Sequence, residues 1–143
     1  MPYTYEYPRP AVTTDIILIA KEKDCNYILL IERKFDPYKG CWALPGGFVE
    51  IDEELETGCL RELKEETGIE DVEIKQFCTA GAVNRDPRGR TISVVYWAEI
   101  GQRIDYTPGD DAAKAKWFNT KMLPNLAFDH QQILDNFFKE KQL

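Results

Sequence analysis

Two apolar runs lie close together in the first quarter of the chain. Residues 11–20, AVTTDIILIA, and residues 27–33, YILLIER, are separated by a short polar stretch, KEKDCN. Apolar runs of this length that are rich in β-branched residues predict two paired β-strands. Because both runs are almost continuously apolar, we expect both faces of these strands to be buried.

Later apolar runs predict more strands and a helix that closes the chain. Strands are expected in residues 42–44, 72–83, 90–100 and 115–118. Near the C-terminus, Asp129 and Gln132 have the spacing of a capping box, and the residues after them have helical periodicity. The apolar face of this helix would be formed by Ile133, Leu134, Phe137 and Phe138. His130, the only histidine, lies in its first turn and is interpreted as structural.

The stretch between these groups of strands has the 3.6-residue periodicity of an amphipathic helix. Its apolar side is formed by Leu55, Cys59, Leu60 and Leu63, and its acidic side by Glu62, Glu65 and Glu66. Asp52 is a residue type that caps helix N-termini, and Gly68 is suited to the left-handed position that ends a helix. The sequence therefore predicts a helix that starts after Asp52 and ends at Gly68.

The three glutamates of this helix carry like charges at i+3 and i+4 spacing. Each neighbouring pair costs a few tenths of a kcal/mol at such positions. Arg61 and Lys64 would offset part of this repulsion if their side chains lean across, and a divalent cation would turn the three carboxylates into one binding site. Mg²⁺ fits better than Ca²⁺ because Mg²⁺ shares its coordination shell with substrate phosphates. On spacing alone, a solvated acidic helix face is the simpler interpretation.

Composition and charge restrict the class of protein. With 143 residues, of which 43% are hydrophobic, the chain is long enough for a single domain over residues 1–143. A formal net charge of -7 argues against nucleic acid as a partner, but not against a small phosphorylated ligand held through a metal ion. The sequence shows no signal peptide and no run of ~18 apolar residues, so we expect a cytoplasmic protein without a membrane partner. The four dispersed cysteines are expected to be reduced thiols.

A long motif with fixed spacing spans the predicted acidic helix. It reads Gly47, five residues, Glu53, seven residues, Arg61, Glu62, Leu63, one residue, Glu65, Glu66, one residue, Gly68 and Ile69. This pattern resembles the Nudix box at every defining position. Outside it, the segments WALPGGFVE, DPRGRTISVVYWA, GDDA, WF and LAFDH look like the ADP-ribose pyrophosphatase subgroup of that family. The resemblance implies an α/β fold, namely a Nudix-type α/β/α sandwich with a mixed β-sheet.

The resemblance also implies a metal-dependent hydrolase of nucleoside diphosphate sugars. The expected reaction is hydrolysis of ADP-ribose to AMP and ribose 5-phosphate, with Mg²⁺ or Mn²⁺ as the cofactor. By resemblance, the metal ligands are Glu62, Glu65, Glu66 and the carbonyl of Gly46. The catalytic residues would be Glu62, which is also a candidate base, together with Glu65, Arg61 and Glu53. Arg61 and Glu53 would form a salt link that holds the helix to its preceding loop.

Residues outside the helix are candidates for substrate binding. They are Arg33, Phe35, Arg85, Arg88 and Arg90, the last three from the loop NRDPRGR. Guanidinium groups bind phosphate oxygens in pairs, as a diphosphate substrate requires, and Phe35 would stack on a base. A solvated hairpin tip and ordinary surface cations are the alternatives. Because some Nudix enzymes recruit a further carboxylate, the candidates for an extra ligand or general base are Asp110, Asp111 and Glu99.

Two other functions fit the same motif. A nucleoside triphosphate pyrophosphohydrolase, acting on an oxidised or pterin triphosphate, would carry the same box and release pyrophosphate. A non-catalytic ADP-ribose-sensing module is less favoured, because such relatives carry a DNA-binding domain and often an eroded box, whereas this sequence ends at Leu143 with every carboxylate present. Nudix proteins are often dimers, so a homodimer is one expected assembly. In such a dimer, the N-terminal segment is a candidate for a swapped strand or a lid; its aromatic residues are Tyr3, Tyr5 and Tyr7.

Overall fold

The computed structural model describes residues 2–104 and 114–143. The elements in this part of the chain are β1 (Ala11–Lys21), β2 (Asn26–Glu32), β3 (Trp42–Ala43), β4 (Gly46–Phe48), α1 (Leu55–Thr67), β5 (Lys75–Ala80), β6 (Thr91–Ile100), β7 (Lys114–Asn119) and α2 (His130–Lys141). Asp110 and Asp111 lie outside the described residues. None of the described helices is long and apolar enough to cross a bilayer.

All described strands belong to one mixed sheet. Its main path runs β3-β2-β1-β6-β5, while β4 pairs with β1 and β7 pairs with β2. The central strands β1 and β6 are parallel over ten register pairs, whereas β1–β2, β1–β4, β2–β7 and β5–β6 are antiparallel. This arrangement confirms the predicted pairing of the first two apolar runs.

Alternate residues of β1 face two separate hydrophobic cores. Ile16 and Leu18 pack in the core that also contains Cys59 and Leu63 of α1. Ile17 and Ile19 pack in the core that contains the α2 residues Ile133, Leu134 and Phe137. Since side chains alternate across a strand, one apolar run supplies both cores. The predicted burial of both faces and the predicted α/β/α sandwich are therefore confirmed.

Helix α1 ends as predicted but begins later. Gly68 has φ 77°, and its N–H donates to the carbonyl of Lys64 at 2.8 Å. The residue before the first turn is Glu54, not Asp52, so the predicted N-cap was wrong. The reason is a turn at residues 50–53, in which the backbone N–H of Glu50 donates to the carboxylate of Glu53 at 2.9 Å.

Helix α2 begins directly after Asp129, as predicted, but without the capping box. Asp129 makes no side-chain capping hydrogen bond, because Arg85 binds its carboxylate instead. Strand β5 is shorter than the predicted 72–83 and has a register shift between Gln76 and Cys78. All four cysteines lie in the described part of the chain as free thiols, but only Cys59 is fully buried.

Candidate active site

The loop before α1 brings backbone against the acidic helix. In β4, Gly46 pairs with Asp15 of β1 and Gly47 pairs with Thr14. A Cβ atom on Gly46 would overlap the carbonyl oxygen of Thr14, and one on Gly47 would overlap the carboxylate of Glu62. Close packing against backbone therefore requires glycine at position 46, whereas a side chain at position 47 would displace the end of the Glu62 side chain. The two glycines allow the loop to lie directly on α1.

Glu66 is a buried carboxylate at the centre of this contact. It is only 7% exposed, and its Oε1 accepts a hydrogen bond from the backbone N–H of Gly46 at 2.8 Å. Burial raises the pKa of Glu66 well above its usual value, despite this hydrogen bond, and the neighbouring charges of Glu62, Asp15 and Glu65 raise it further. A cation placed near Glu66 would reverse this effect.

Glu62 and Glu65 differ from Glu66 in exposure and partners. Glu62 is half-buried, and burial raises its pKa although Arg61 opposes the shift. Its Oε1 accepts a hydrogen bond from Nη1 of Arg61 at 3.1 Å. Glu65 is exposed, and its Oε2 accepts a hydrogen bond from the same Nη1 at 3.2 Å.

Arg61 connects α1 to the residues that precede it. Its Nε and Nη2 donate to the Glu53 carboxylate at 2.9 and 2.7 Å, and Nη2 also donates to the carbonyl of Phe48 at 3.3 Å. Hydrogen bonds from Arg61, and then from the backbone of Glu50, lower the pKa of Glu53 to about 2. The salt link expected from the sequence is thus present in the structure.

Gly58 in the middle of α1 is explained by the same link. A Cβ atom on Gly58 would lie 2.8 Å from Oε1 of Glu53. Glycine costs about 1 kcal/mol of helix propensity relative to alanine, but here it leaves room for the Glu53 carboxylate above the helix.

The carboxylates fit a divalent cation in chemistry but not as a preassembled cage. Within residues 2–104 and 114–143, no three acidic, histidine or cysteine side chains converge as a metal site would require. Glu62 and Glu65 are instead turned toward Arg61, and Glu66 toward Gly46. The donors are nevertheless oxygen atoms, and burial, with a smaller contribution from neighbouring carboxylates, raises the pKa values of Glu62 and Glu66. The metal-ligand assignment of these glutamates and of the Gly46 carbonyl stays a prediction.

A cleft of about 190 Å³ places basic groups opposite Glu66. Its lining includes Gly46 and Glu66 together with Arg33, Arg85 and Arg88. These five residues come from four separate segments of the chain, and the sequence had singled out all five. The cleft therefore combines an acidic wall with a basic wall, as a complex of metal ion and diphosphate requires.

Two of the arginines are fixed by carboxylates, one half-buried (Asp129) and one buried (Asp86). Arg85, whose side chain is 4% exposed, donates from Nε and Nη2 to the two oxygens of Asp129 at 3.0 and 2.7 Å. Arg88 donates from Nε and Nη2 to Asp86 at 3.0 and 2.8 Å. Both partners were missed by sequence reasoning, because Asp129 was interpreted as a helix cap and Asp86 as a loop residue.

Seven predicted site residues in the described part of the chain do not line the cleft: Glu53, Arg61, Glu62 and Glu65 at α1 and its leading turn, and, elsewhere, Arg90, Phe35 and Glu99. Arg90 donates to the carbonyls of Gly81 and Ala82, so its guanidinium supports its own loop. Phe35 is 68% exposed and does not line the cleft. Glu99 is exposed on β6 and lies against Glu73, Lys75 and Trp97. The structure therefore does not bring these last three residues to the arginines and carboxylates.

Two further residues that line the cleft are buried and polar: Asp15, which sequence reasoning missed, and His130, which it interpreted as structural. Asp15 accepts a hydrogen bond from Ser93 on the neighbouring strand. Nδ1 of His130 accepts a hydrogen bond from the backbone N–H of Leu44 at 3.1 Å, and its Nε2 lies 3.9 Å from Asp15. Burial lowers the pKa of His130, so the ring supports the loop as a neutral group. An aspartate inside the apolar run AVTTDIILIA was the signal that could have identified Asp15.

A larger groove of about 700 Å³ adjoins the cleft between β5 and α2. Its lining includes Phe77, Thr79, Asn136 and Asp129. Asp129 lines the groove and its partner Arg85 lines the cleft, so this ion pair separates the two spaces.

Comparisons with known proteins identify the family. Residues 9–139 match the family model described as the NUDIX domain. The chain is 46% identical over 136 residues to an ADP-ribose pyrophosphatase of Methanocaldococcus jannaschii, covering 94% of this chain and 77% of that protein. It is 34% identical over 137 residues to the ADPR responsive transcriptional repressor NtrR of Acinetobacter baylyi, covering 93% of this chain and 55% of the repressor.

A solved structure agrees with these relatives. The NUDIX domain of Shewanella oneidensis NrtR, in a complex with ADP ribose, superposes with a TM-score of 0.85 at 31% identity. The match covers 96% of this chain and 91% of that domain. Since the family match spans nearly the whole chain and includes the acidic helix and its glycine loop, the chain belongs to the Nudix family.

Proposed function

We propose that the chain hydrolyses ADP-ribose to AMP and ribose 5-phosphate, with Mg²⁺ or Mn²⁺ as its cofactor. The observation that carries this proposal is the cleft that Glu66 lines together with three arginines. Two similarities support the substrate: the 46% identity to a protein named ADP-ribose pyrophosphatase, and the likeness to a domain crystallised with ADP ribose.

Nudix hydrolases generally use divalent metal ions, and here Glu62, Glu65, Glu66 and the carbonyl of Gly46 would hold the ion. The bound ion would neutralise diphosphate charge and lower the pKa of a water molecule. The environment of Glu62 and Glu66 supports this role, because burial first, and neighbouring carboxylates second, raise their pKa values, and a bound cation would favour the ionised forms.

The arginines of the cleft would position the substrate, and Glu62, whose carboxylate lies against Gly47 at the edge of the cleft, would accept a proton. Arg33, Arg85 and Arg88 would bind the oxygens of the diphosphate and orient the scissile bond for in-line attack by water. Glu62 is the candidate base, as the family resemblance implies; it is half-buried, and burial raises its pKa.

The volumes of the cleft and of the larger groove suggest which part of the substrate each of them would bind. Ligand pockets usually have volumes of roughly 300–1,000 Å³. The cleft of about 190 Å³ is too small for a whole dinucleotide-like ligand but sufficient for a diphosphate. The adjoining groove of about 700 Å³ would receive one of the two ribosyl ends.

An ADP-ribose-binding domain without turnover is the second candidate, since the chain resembles the repressor NtrR. The chain spans about half the length of that repressor, so the activity of the repressor does not transfer. Retention of every glutamate of the box favours the enzyme. We also propose a cytoplasmic location, based on the sequence, and a homodimer, because Nudix proteins are often dimers.

A product assay tests the proposal. The protein is incubated with MgCl₂ and either ADP-ribose or a panel of nucleoside triphosphates, and the products are separated by ion-exchange chromatography. AMP and ribose 5-phosphate are expected from ADP-ribose. Faster release of pyrophosphate from a triphosphate would show that ADP-ribose is not the preferred substrate. Binding of ADP-ribose without any product would favour an ADP-ribose-binding domain without turnover.

A further inference from the structure

Phe128 lies in the segment that leads into α2 and has an unusual backbone. Its φ is 52°, in the left-handed region that residues other than glycine rarely adopt. Hydrogen bonds fix the chain on either side: the N–H of Ala127 donates to the carbonyl of Trp42 at 2.8 Å, and the N–H of His130 donates to the carbonyl of Ala127 at 3.1 Å. The direction of the ring is therefore determined by the fold.

The ring of Phe128 contacts two arginines of the cleft. The guanidinium carbon of Arg33 lies 4.9 Å from the ring centroid, and that of Arg88 lies 5.4 Å from it. The rings of Tyr38 and His130 pack against the same phenyl group, with centroids 4.9 and 5.6 Å away. The phenyl group is thus held by two aromatic neighbours while it faces two cations.

Each arginine also has an anchor of its own. Nε of Arg33 donates to the carbonyl of Pro37 at 2.7 Å. Arg88 is bound to Asp86, and its guanidinium carbon lies 5.0 Å from the centroid of the Phe48 ring. Among the described residues, both arginines contact one common ring, that of Phe128.

Arg33 is repelled by the like charge of Arg88, and the carboxylates of Asp86, Glu66 and Asp15 compensate this repulsion in part. Burial, followed by repulsion from Arg88, lowers the pKa of Arg33. The negative face of an aromatic ring attracts guanidinium groups and thereby offsets part of such repulsion. Without this ring, each arginine would keep its own anchor but would lose the surface that both guanidinium groups share, and a substrate would have to order the two groups relative to each other on binding.

We propose that Phe128 is a positioning residue that holds Arg33 and Arg88 in place to receive the substrate's diphosphate. This inference rests on the proposed function, because it assumes that the two arginines bind a diphosphate. Phe128 acts through the arginines and not on the reacting atoms. The diphosphate is charged in the bound substrate as well as in the transition state, so loss of the Phe128 ring should weaken the binding of both to a similar extent. The change should therefore appear in KM and not in kcat.

The first test measures KM and kcat for ADP-ribose hydrolysis in variants of Phe128. Phe128→Leu removes the aromatic face and keeps an apolar side chain, and it should raise KM about tenfold while kcat stays within about twofold. Phe128→Tyr keeps the face and should retain the original KM. Phe128→Met replaces the leucine variant if that variant does not fold. The matched control is Phe118→Leu, because Phe118 is also half-buried and contacts one cation, Lys116, and one ring, Trp42, away from the cleft.

A double-mutant cycle separates positioning from a general structural role. Arg33→Gln should raise KM strongly in the original protein but much less in the Phe128→Leu background, because the arginine is already misplaced there. Additive effects, or a Phe128→Leu variant with unchanged KM, would overturn the proposal. A tyrosine variant as impaired as the leucine variant would also overturn it.

Failure of the proposed function has a different signature. If the original protein does not hydrolyse ADP-ribose, the same variants are compared for binding of inorganic pyrophosphate in MgCl₂ by calorimetry. Weaker pyrophosphate binding in Phe128→Leu, but not in Phe128→Tyr or Phe118→Leu, would support the positioning role even without hydrolysis. Equal binding in all variants would reject it.

Discussion

Replacing Glu66 with glutamine should stabilise the metal-free protein and remove most of its activity. The side chain is buried, and its Oε1 accepts the Gly46 N–H, a bond that glutamine can keep. Burial and the charges of Glu62, Asp15 and Glu65 raise the pKa of Glu66, so its ionised form is unfavourable in the folded state. A neutral amide of the same shape removes this unfavourable charge.

The size of the stabilisation follows from the neighbours. Three like charges act on Glu66, and each such pair costs a few tenths of a kcal/mol even on an exposed helix. Against this gain, the hydrogen bond from Gly46 would end on a neutral amide instead of a carboxylate, which costs about 1 kcal/mol. Removal of the buried negative charge itself adds to the gain. We expect a net gain of about 1 kcal/mol, which corresponds to a rise of about 3 °C in Tm for a chain of this size.

Differential scanning calorimetry in EDTA and in saturating MgCl₂ measures this effect. The variant should melt higher than the original protein in EDTA, whereas Mg²⁺ should raise the Tm of the original protein more, because a ligand of the native state stabilises that state. In addition, kcat should fall about 100-fold. Glu70→Gln is the matched control, since Glu70 is exposed and paired with Lys64 outside the cleft.

Two outcomes would refute this reasoning. A Glu66→Gln variant that melts below the original protein in EDTA would show that the buried carboxylate does not destabilise the metal-free folded protein. Equal stabilisation of both proteins by Mg²⁺ would show that Glu66 does not bind the ion.

Three further predictions concern the packing around the cleft. Gly47→Ala should displace the Glu62 carboxylate and lower kcat at least tenfold with little change in Tm, measured by steady-state kinetics and calorimetry. Asp129→Asn should leave the buried Arg85 without its counter-charge and lower the free energy of unfolding by about 3 kcal/mol in urea titrations. Burial lowers the pKa of His130, so the unfolded state takes up a proton first, and the free energy of unfolding should decrease as pH falls below about 6.5.

Each of these predictions has a contrary result. Unchanged kcat in Gly47→Ala would separate Glu62 from catalysis. A loss below about 1 kcal/mol in Asp129→Asn would mean that solvent reaches Arg85. For His130, the comparison is His130→Gln, which cannot titrate; the same pH slope in both proteins would assign the slope to other groups.

Local patterns in the sequence were sufficient for the core and for the acidic helix. The β-branched run of β1 predicted burial on both faces because strand periodicity depends only on adjacent residues. Gly68 ended α1 as predicted, since its left-handed conformation is a property of that residue. The Arg61–Glu53 link was expected from the resemblance and is formed within a single helix and its leading turn.

The basic wall of the cleft could not be predicted in the same way. Arg85 and Arg90 are equivalent in a sequence pattern, yet the first binds Asp129 and the second binds its own loop. The choice depends on a contact across 44 residues, which also removed the expected capping box. Phe128 had no local signal, because its role arises from where the loop places its ring relative to Arg33 and Arg88.

The parallel pairing of β1 with β6 has a consequence for synthesis on the ribosome. β1 begins at Ala11, but its partner along one edge is Thr91–Ile100, so this edge stays open until about two thirds of the chain has been made. An unpaired apolar strand is a template for intermolecular association. Nascent or truncated chains that end before residue 91 should therefore aggregate or recruit chaperones, whereas chains that include β6 can close the sheet.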